Sequence, residues 1–547
     1  MTMPTSRRSF LAATGTFVAA MSGVQRAPLA RSEPSNDLIL RGGTVFDGTG
    51  AAGREVDVAI RADRISAIGP TLPGSGRVEV DVRGLAVAPG FIDIHSHGDS
   101  SLAADPRAES VIRQGITTIA VGADGSSRAT DAASKGFAAL FAKIDRLRPG
   151  PNVASMIGLG SVRGEVVGNT NRPATAAETS TMIAMVERAL ADGACGASSG
   201  LEYTPGAFAS RDELIALCRP LASRGLTYAT HMRNEDDRLL EAIAESIAVA
   251  RGARCGLQIS HLKTQGPRNW NSLQSAFDQI ESAKSDGIDI AFDRYPYLAY
   301  ATGLTNLFPV WSRDGGTAAF LGRLRNSRTA ARIEAETLAK VELIGGWDNV
   351  QITAVSSPSD RDVQGKRLGS WAKSIGKAPY EATVALLERN RARVDMAGFA
   401  MSEENLDRIL AHPLSMICSD GSAFALEGPT RRGSPHPRGA GSFPRVLGRY
   451  VRERKVLTLS EAIRKMTSAP ADRLRLADRG RLAVGKAADV VVFDPARIAD
   501  TATFERPFQY PVGISLVIVN GRIALRDGQR SRTHAGKSLR SDPVAGR

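Results

Sequence analysis

Residues 90–99 read GFIDIHSHGD and close the apolar run LAVAPGFIDI, punctuated by Pro89 and Gly90. Such a run is predicted to be a short buried strand. Residues i and i+2 of a strand point to one face. His95 and His97, two of only seven histidines in the chain, would therefore stand side by side, as ligands of a metal ion do. A bare pair of this kind also occurs on half-exposed strands without any ligand role, so the rest of the chain has to decide.

Working outward, residues 88–480 alternate strand-like and helix-like segments. The candidate strands are VAPGFIDIHSH, TTIAVG, NVASMIGLGSV, GACGASSGL, LTYATHM, GLQISHL, DIAFDRYPY and SMICSDGS, with helical patterns such as DDRLLEAIAESIAVARGA separating most of them. Eight such units predict an α/β fold, a (β/α)8 TIM-like barrel, with an insertion over about residues 306–400. Residues 36–87 and 481–530 have a different texture of short alternating strands and Gly-rich turns. These two pieces are expected to pair into a small β-sandwich domain built from both chain ends, followed by a basic tail at 531–547. In a barrel, chemistry sits where strands end. His95 and His97 end the first candidate strand, His231 the fifth, His261 the sixth and Asp420 the eighth. Four of the seven histidines and one acid thus fall at one predicted rim, which points to metal binding.

The 547 residues suffice for more than one domain, and 42% hydrophobic and 23% charged residues describe an ordinary folded protein. A good part of the net charge of +13 lies in the arginines of the first 31 residues and in the tail RDGQRSRTHAGKSLR. No Arg/Lys stripe is interleaved with aromatics, so nucleic-acid binding gains no support. The start, TSRRSFLAATGTFVAAMSGV, reads as a secretory signal over residues 1–30. Its Arg7-Arg8 pair is of the twin-arginine type that exports folded proteins, which predicts a periplasmic or secreted enzyme; an uncleaved anchor is the alternative. No later segment is long and apolar enough to span a membrane. No CxxC occurs among the four cysteines, which removes zinc-ribbon and redox motifs. Cys195, Cys255 and Cys418 fall in strand-like runs and are expected to be buried free thiols.

The residues and their order resemble the amidohydrolase superfamily, in its N-acyl-D-amino-acid deacylase (D-aminoacylase) branch. The motifs that carry the resemblance are GGTVFDGTG, APGFIDIHSHGD, SSGLEYTPG, THMRNE, ISHLK, ICSDG, HPRGAGSFPRVLGRYVRE, KMTSAPADRL and GKAADVVVFDP. The resemblance implies a metal-bearing barrel with a β-sandwich, and one or two zinc ions per chain. His95 and His97 would bind one ion, with Asp420 beside it, and His231 and His261 the other. The deacylases usually carry a metal-bridging cysteine after strand 2, in a stretch like VGNCG. Here the stretch is VGADG, with Asp124 in that place. Glu202, in SSGLEY at the end of strand 4, is the other candidate bridge. It is preferred to Asp124 because strand 4 is a usual source of bridging ligands and Glu reaches further. Cys195 lies seven residues before Glu202, about 23 Å along an extended strand, too far to substitute.

The resemblance also places Tyr203, Lys263, Tyr297 and Arg438 around the substrate, with Lys263 and Arg438 as holders of a free carboxylate. His436 is expected in a lid or supporting role, and Arg294 could favour an acidic side chain. The implied reaction is hydrolysis of an N-acyl-D-amino acid, a small-molecule amide. Zinc would lower the pKa of a water, and Asp420 would serve as general base and then acid. Two enzymatic alternatives are a cyclic-amide hydrolase and a dipeptidase acting on D-residue peptides. The first is disfavoured because GACGASSGLEY holds no lysine to become the carboxylated bridge of such enzymes. A non-catalytic exported binding protein is the third alternative; it predicts a missing ligand or base, and none is missing. The sequence leaves the oligomeric state open.

Overall fold

The computed structural model describes residues 35–128, 136–532 and 534–541. The signal segment read at 1–30 lies outside the described residues. Eight strands form the barrel: β1 (Phe91–Asp93), β2 (Ile116–Val121), β3 (Asn152–Ser155, continued by Ile157–Gly158), β4 (Gly196–Gly200), β5 (Thr227–His231), β6 (Gly256–Ile259), β7 (Ile290–Arg294) and β8 (Ser415–Ile417). The paired neighbours are parallel, and strands such as ITTIAV are buried along their whole length, as expected of a sheet covered on both faces. Asp93 closes the ring between β8 and β1: its carboxylate accepts the Ser419 N–H at 2.8 Å, and the Asp420 N–H is donated to the His95 carbonyl at 2.8 Å.

The surrounding helices follow from their patterns and caps. Helix Ala176–Ala191 begins at Thr175, whose hydroxyl accepts the Glu178 N–H at 3.2 Å while the Glu178 carboxylate accepts the Thr175 N–H at 2.8 Å. It buries Met182, Val186, Ala189 and Leu190, one stripe at helical spacing.

The two chain ends form one nine-stranded sheet. They meet where Ala86–Pro89 pairs antiparallel with Val490–Phe493, Val87 opposite Val492. Leu40, Val58, Ile60, Val490 and Ile518 fill its separate core.

Three boundaries differ from the sequence reading. The run read as one strand through GFIDIHSH is two. Ala86–Pro89 belongs to the sandwich, so that domain reaches past residue 87, and only Phe91–Asp93 belongs to the barrel. Gly90 is the joint, because a Cβ there would stand 2.3 Å from the Thr117 side chain. The insertion starts at Ala299, before 306. Ala299–Gly303, Val394–Phe399 and Val350–Val355 form its antiparallel sheet, packed with helices that include Ser327–Leu343. Pro296 ends the apolar run that had looked continuous. The described part of the basic tail is docked rather than appended. Val153 N–H is donated to the Lys537 carbonyl at 2.9 Å and Leu539 N–H to the Val153 carbonyl at 2.8 Å, and Leu539 is buried. Its apolar side chain, invisible in a count of charges, fixes the segment. Among the described residues no helix is long and apolar enough to cross a membrane.

Candidate active site

His95 and His97 lie just past β1, in a loop stitched to β2 by the Ser96 N–H on the Ala120 carbonyl (2.9 Å) and to the segment after β8 by the His97 N–H on the Gly421 carbonyl (3.0 Å). They converge although the strand has ended. Nε2 of each is 3.4 Å from Asp124 Oδ2. Asp420 Oδ1 is 3.1 Å from His97 Nε2 and 3.5 Å from His95 Nε2. The same Asp124 oxygen is 3.6 Å from His261 Nε2 and 3.9 Å from His231 Nδ1, and those two nitrogens are 3.0 Å apart. Donors around a tetrahedral ion with bonds of about 2.0–2.2 Å stand about 3.3–3.6 Å apart, so the spacing fits metal coordination. His95 Nε2 and Asp124 Oδ1 are buried without a hydrogen-bond partner, polar atoms that an ion would satisfy. Asp124 (φ 51°), His261 (φ 37°) and Asp420 (φ 49°) all hold left-handed backbone, a conformation that clusters at functional positions.

Asp124, and not Glu202, is the carboxylate among all four histidines. Glu202 Oε2 faces His231 from its outer edge, 3.4 Å from Nε2, while Nδ1 faces the centre. The deciding contact is tertiary. The loop after β2 crosses β4 at Gly200, where a Cβ would stand 2.2 Å from the Asp124 carbonyl. Ser198 Oγ accepts the Gly125 N–H at 3.0 Å and donates to the Gly122 carbonyl at 2.5 Å, so the turn that presents Asp124 is fastened from both sides.

Two further carboxylates escaped the sequence reading. Asp293, at the end of β7, accepts the His261 N–H and the Gln258 amide at 2.9 Å each and lies 3.4 Å from His95 Nδ1. Glu235 lies 3.0 Å from His261 Nδ1 and accepts from Lys263 Nζ at 2.5 Å. Carboxylates on the outward nitrogen of a ligating histidine fix its tautomer and ring orientation. The acids in IAFD and THMRNE were the available signal.

Burial pushes the Asp124 and Asp420 carboxyls up, but the imidazoles and, for Asp420, the Arg438 guanidinium overcome it and hold both below the usual carboxylate range. Conversely, burial lowers and the two carboxylates raise His95 and His97. The carboxylates win, taking His95 well above its ordinary value and His97 up to about 9. A dense, balanced set of charges of this kind is characteristic of catalytic sites.

The cluster lies in a cleft of about 810 Å³ lined by rim loops and the insertion. Tyr203, Lys263 and Arg438 line it. Tyr203 packs its ring on His231, centroids 4.7 Å apart. Lys263 Nζ bonds to Glu235 and lies 2.7 Å from His261 Nδ1. Arg438 donates to Asp420 Oδ2 at 2.6 Å. Tyr297 is not in the cleft: its hydroxyl donates to Asp500 at 3.3 Å. Tyr295 takes that place, lining the cleft with a buried hydroxyl that has no partner. The resemblance places Tyr297 there, but past Pro296 the chain carries Tyr297 to Asp500 instead. Arg294 is buried outside the cleft, donating to the Tyr297 carbonyl at 2.8 Å. His436 donates from Nε2 to the Ala299 carbonyl (2.9 Å) and accepts the Arg438 N–H at Nδ1 (3.0 Å). It is a neutral pin between the loop after β8 and the insertion. All four cysteines are buried and unpaired, outside the donor group.

Residues 426–525 match the family model described as Amidohydrolase family. The chain is 35% identical to the D-aminoacylase of Alcaligenes xylosoxydans xylosoxydans over 92% of its own length and 97% of that protein. It is also 35% identical to an N-acyl-D-glutamate deacylase of the same organism, over 92% and 97%. The crystal structure of N-acyl-D-glutamate deacylase from Bordetella bronchiseptica, complexed with zinc and a phosphonate mimic of the tetrahedral intermediate, superposes with a TM-score of 0.79 at 34% identity, over 92% of this chain and all of that one. The barrel, the ligand cluster at its rim and this end-to-end similarity together establish that the chain belongs to the D-aminoacylase family of amidohydrolases.

Proposed function

We propose that the protein is a zinc-dependent deacylase that hydrolyses the amide of N-acyl-D-amino acids. The observation that carries the reading is the convergence of His95, His97, Asp124, His231, His261 and Asp420 in a cleft that also holds Lys263, Tyr295 and Arg438. These six ligand residues would hold zinc, which supplies Lewis acidity that lowers the pKa of a water and polarises an amide carbonyl. Asp420 is kept ionised by Arg438, and its Oδ1 faces the histidines, so it is placed to accept a proton from water and pass it to the departing amine. Lys263, Arg438 and the free Tyr295 hydroxyl supply the donors that an α-carboxylate requires. Glu235, Asp293 and Glu202 hold the imidazoles in place. Arg7-Arg8 and the apolar stretch behind them support export through a twin-arginine route.

The test is elemental analysis of the purified mature protein, joined to hydrolysis of N-acetyl-D- and N-acetyl-L-amino acids with and without added zinc. Bound zinc with D-selective acetate release is expected. Bound zinc with activity only on cyclic amides or peptides would replace the substrate class. Absence of metal after reconstitution would overturn the reading.

A further inference from the structure

The donor group has one atom common to both halves. Asp124 Oδ2 is within 3.4 Å of both His95 and His97 and within 3.9 Å of both His231 and His261. The other oxygen, Oδ1, is buried and unpartnered. Besides the group Glu202–His231–Glu235, which shares His231, the potential ligands form His95–His97–Asp124–Asp420 and Asp124–His231–His261, and these two share Asp124 alone. Its backbone is fixed by the Ser198 hydroxyl and by the close approach at Gly200. Glu202, by contrast, meets only His231 of the four, at the nitrogen turned away from the centre. No sulfur belongs to either group.

We propose that Asp124 is the bridging ligand of a two-ion centre whose donors are all nitrogen and oxygen, and that Glu202 is a positioning residue for His231. The proposal rests on the metal-dependent reading above and deepens it. Asp124 Oδ2 already faces both histidine pairs, and Oδ1 has no protein partner to hold it away from an ion. Without a soft thiolate to favour one ion, the His95–His97–Asp420 half and the His231–His261 half should both load. Such a donor set takes Co(II) and Mn(II) as well as Zn(II).

The experiment uses the full-length folded protein, stripped by chelator and reloaded with Co(II) or Mn(II). It reads bound metal per chain by elemental analysis, Co(II) absorption, and exchange coupling of Mn(II) by electron paramagnetic resonance. Two ions per chain with a coupled Mn(II) pair are expected for the unmodified protein and for Glu202→Gln. Asp124→Ala should fall to one ion or fewer and lose the coupling. Asp124→Cys should add a thiolate-to-Co(II) charge-transfer band in the near ultraviolet, which the unmodified protein lacks. Should Asp124→Ala fail to fold by circular dichroism, the cysteine variant decides alone. Two coupled ions retained in Asp124→Ala, loss of the second ion in Glu202→Gln, or Co(II) bound to Asp124→Cys without a thiolate band would each overturn the proposal while leaving the deacylase reading intact. Failure of any metal to bind would overturn both. A two-ion centre without hydrolysis of acyl-amino acids would sustain the proposal and sink only the substrate assignment.

Discussion

Both ends of the barrel bury charged side chains. At the N-terminal end, the floor, Lys465 Nζ is surrounded by the His412 carbonyl (2.6 Å) and the Ser415 carbonyl and hydroxyl (3.1 and 2.8 Å). Arg473 donates to Gln258 and to the Leu257 and Asp289 carbonyls at the starts of β6 and β7. Arg479 pairs with Asp489, which in turn accepts the Asn520 N–H and the Asn152 amide. These charges are spent on tying the helices Leu459–Met466 and Ser468–Arg473, the sandwich and the barrel together. At the opposite rim, His95 Nε2, Asp124 Oδ1 and the Tyr295 hydroxyl are buried with no partner. A buried polar group without a partner costs about 1–3 kcal/mol. The floor leaves Arg479 Nε open as well, but at the rim the open atoms are those that a metal and a substrate would satisfy. The KMTSAPADRL motif belongs to the floor; its part in the resemblance is architectural.

Substitutions at the two ends should fail in different ways. The largest effect is expected for Asp420→Asn. Loss of the general base should lower kcat by about 10³-fold, and the retained amide can still accept from Arg438, so the unfolding midpoint should move little. A loss of activity matched by a comparable loss of stability would erase the distinction. Arg479→Met should do the reverse. Removing one partner of a buried pair leaves Asp489 uncompensated, at about 3–5 kcal/mol, read by urea unfolding, while kcat of the folded fraction stays within about threefold. Next in size, Tyr295→Phe should cost about tenfold in kcat/KM, one substrate hydrogen bond, with no loss of stability because nothing in the protein bonds that hydroxyl. Tyr297→Phe should leave kinetics unchanged.

The smallest effect lies between the two ends. Burial pushes the Cys195 thiol inside the barrel from 9.0 up to about 12. Between those pH values the folded chain holds the proton and the unfolded chain has released it. Stability is therefore full below pH 9 and falls as pH rises, by about 1.4 kcal/mol at pH 10. Cys195→Ala should flatten that part of the pH–stability curve, and the native protein should not react with a thiol reagent at pH 8.

The sequence by itself determined the alternation of strands and helices, the small domain shared by the two ends, and the rim positions of His95, His97, His231, His261 and Asp420. Each of these depends on local periodicity or on a residue's place at a strand end, and both are properties of a few consecutive residues. Only the tertiary structure decided which carboxylate faces all four histidines, which tyrosine enters the cleft, that Glu235 and Asp293 orient the imidazoles, and that Arg438 already holds Asp420. Those outcomes depend on distances of a few ångström between segments far apart in the chain. Asp124 reaches the centre because Gly200, on another strand, has no Cβ to block the loop. Periodicity within either segment carries no information about that gap.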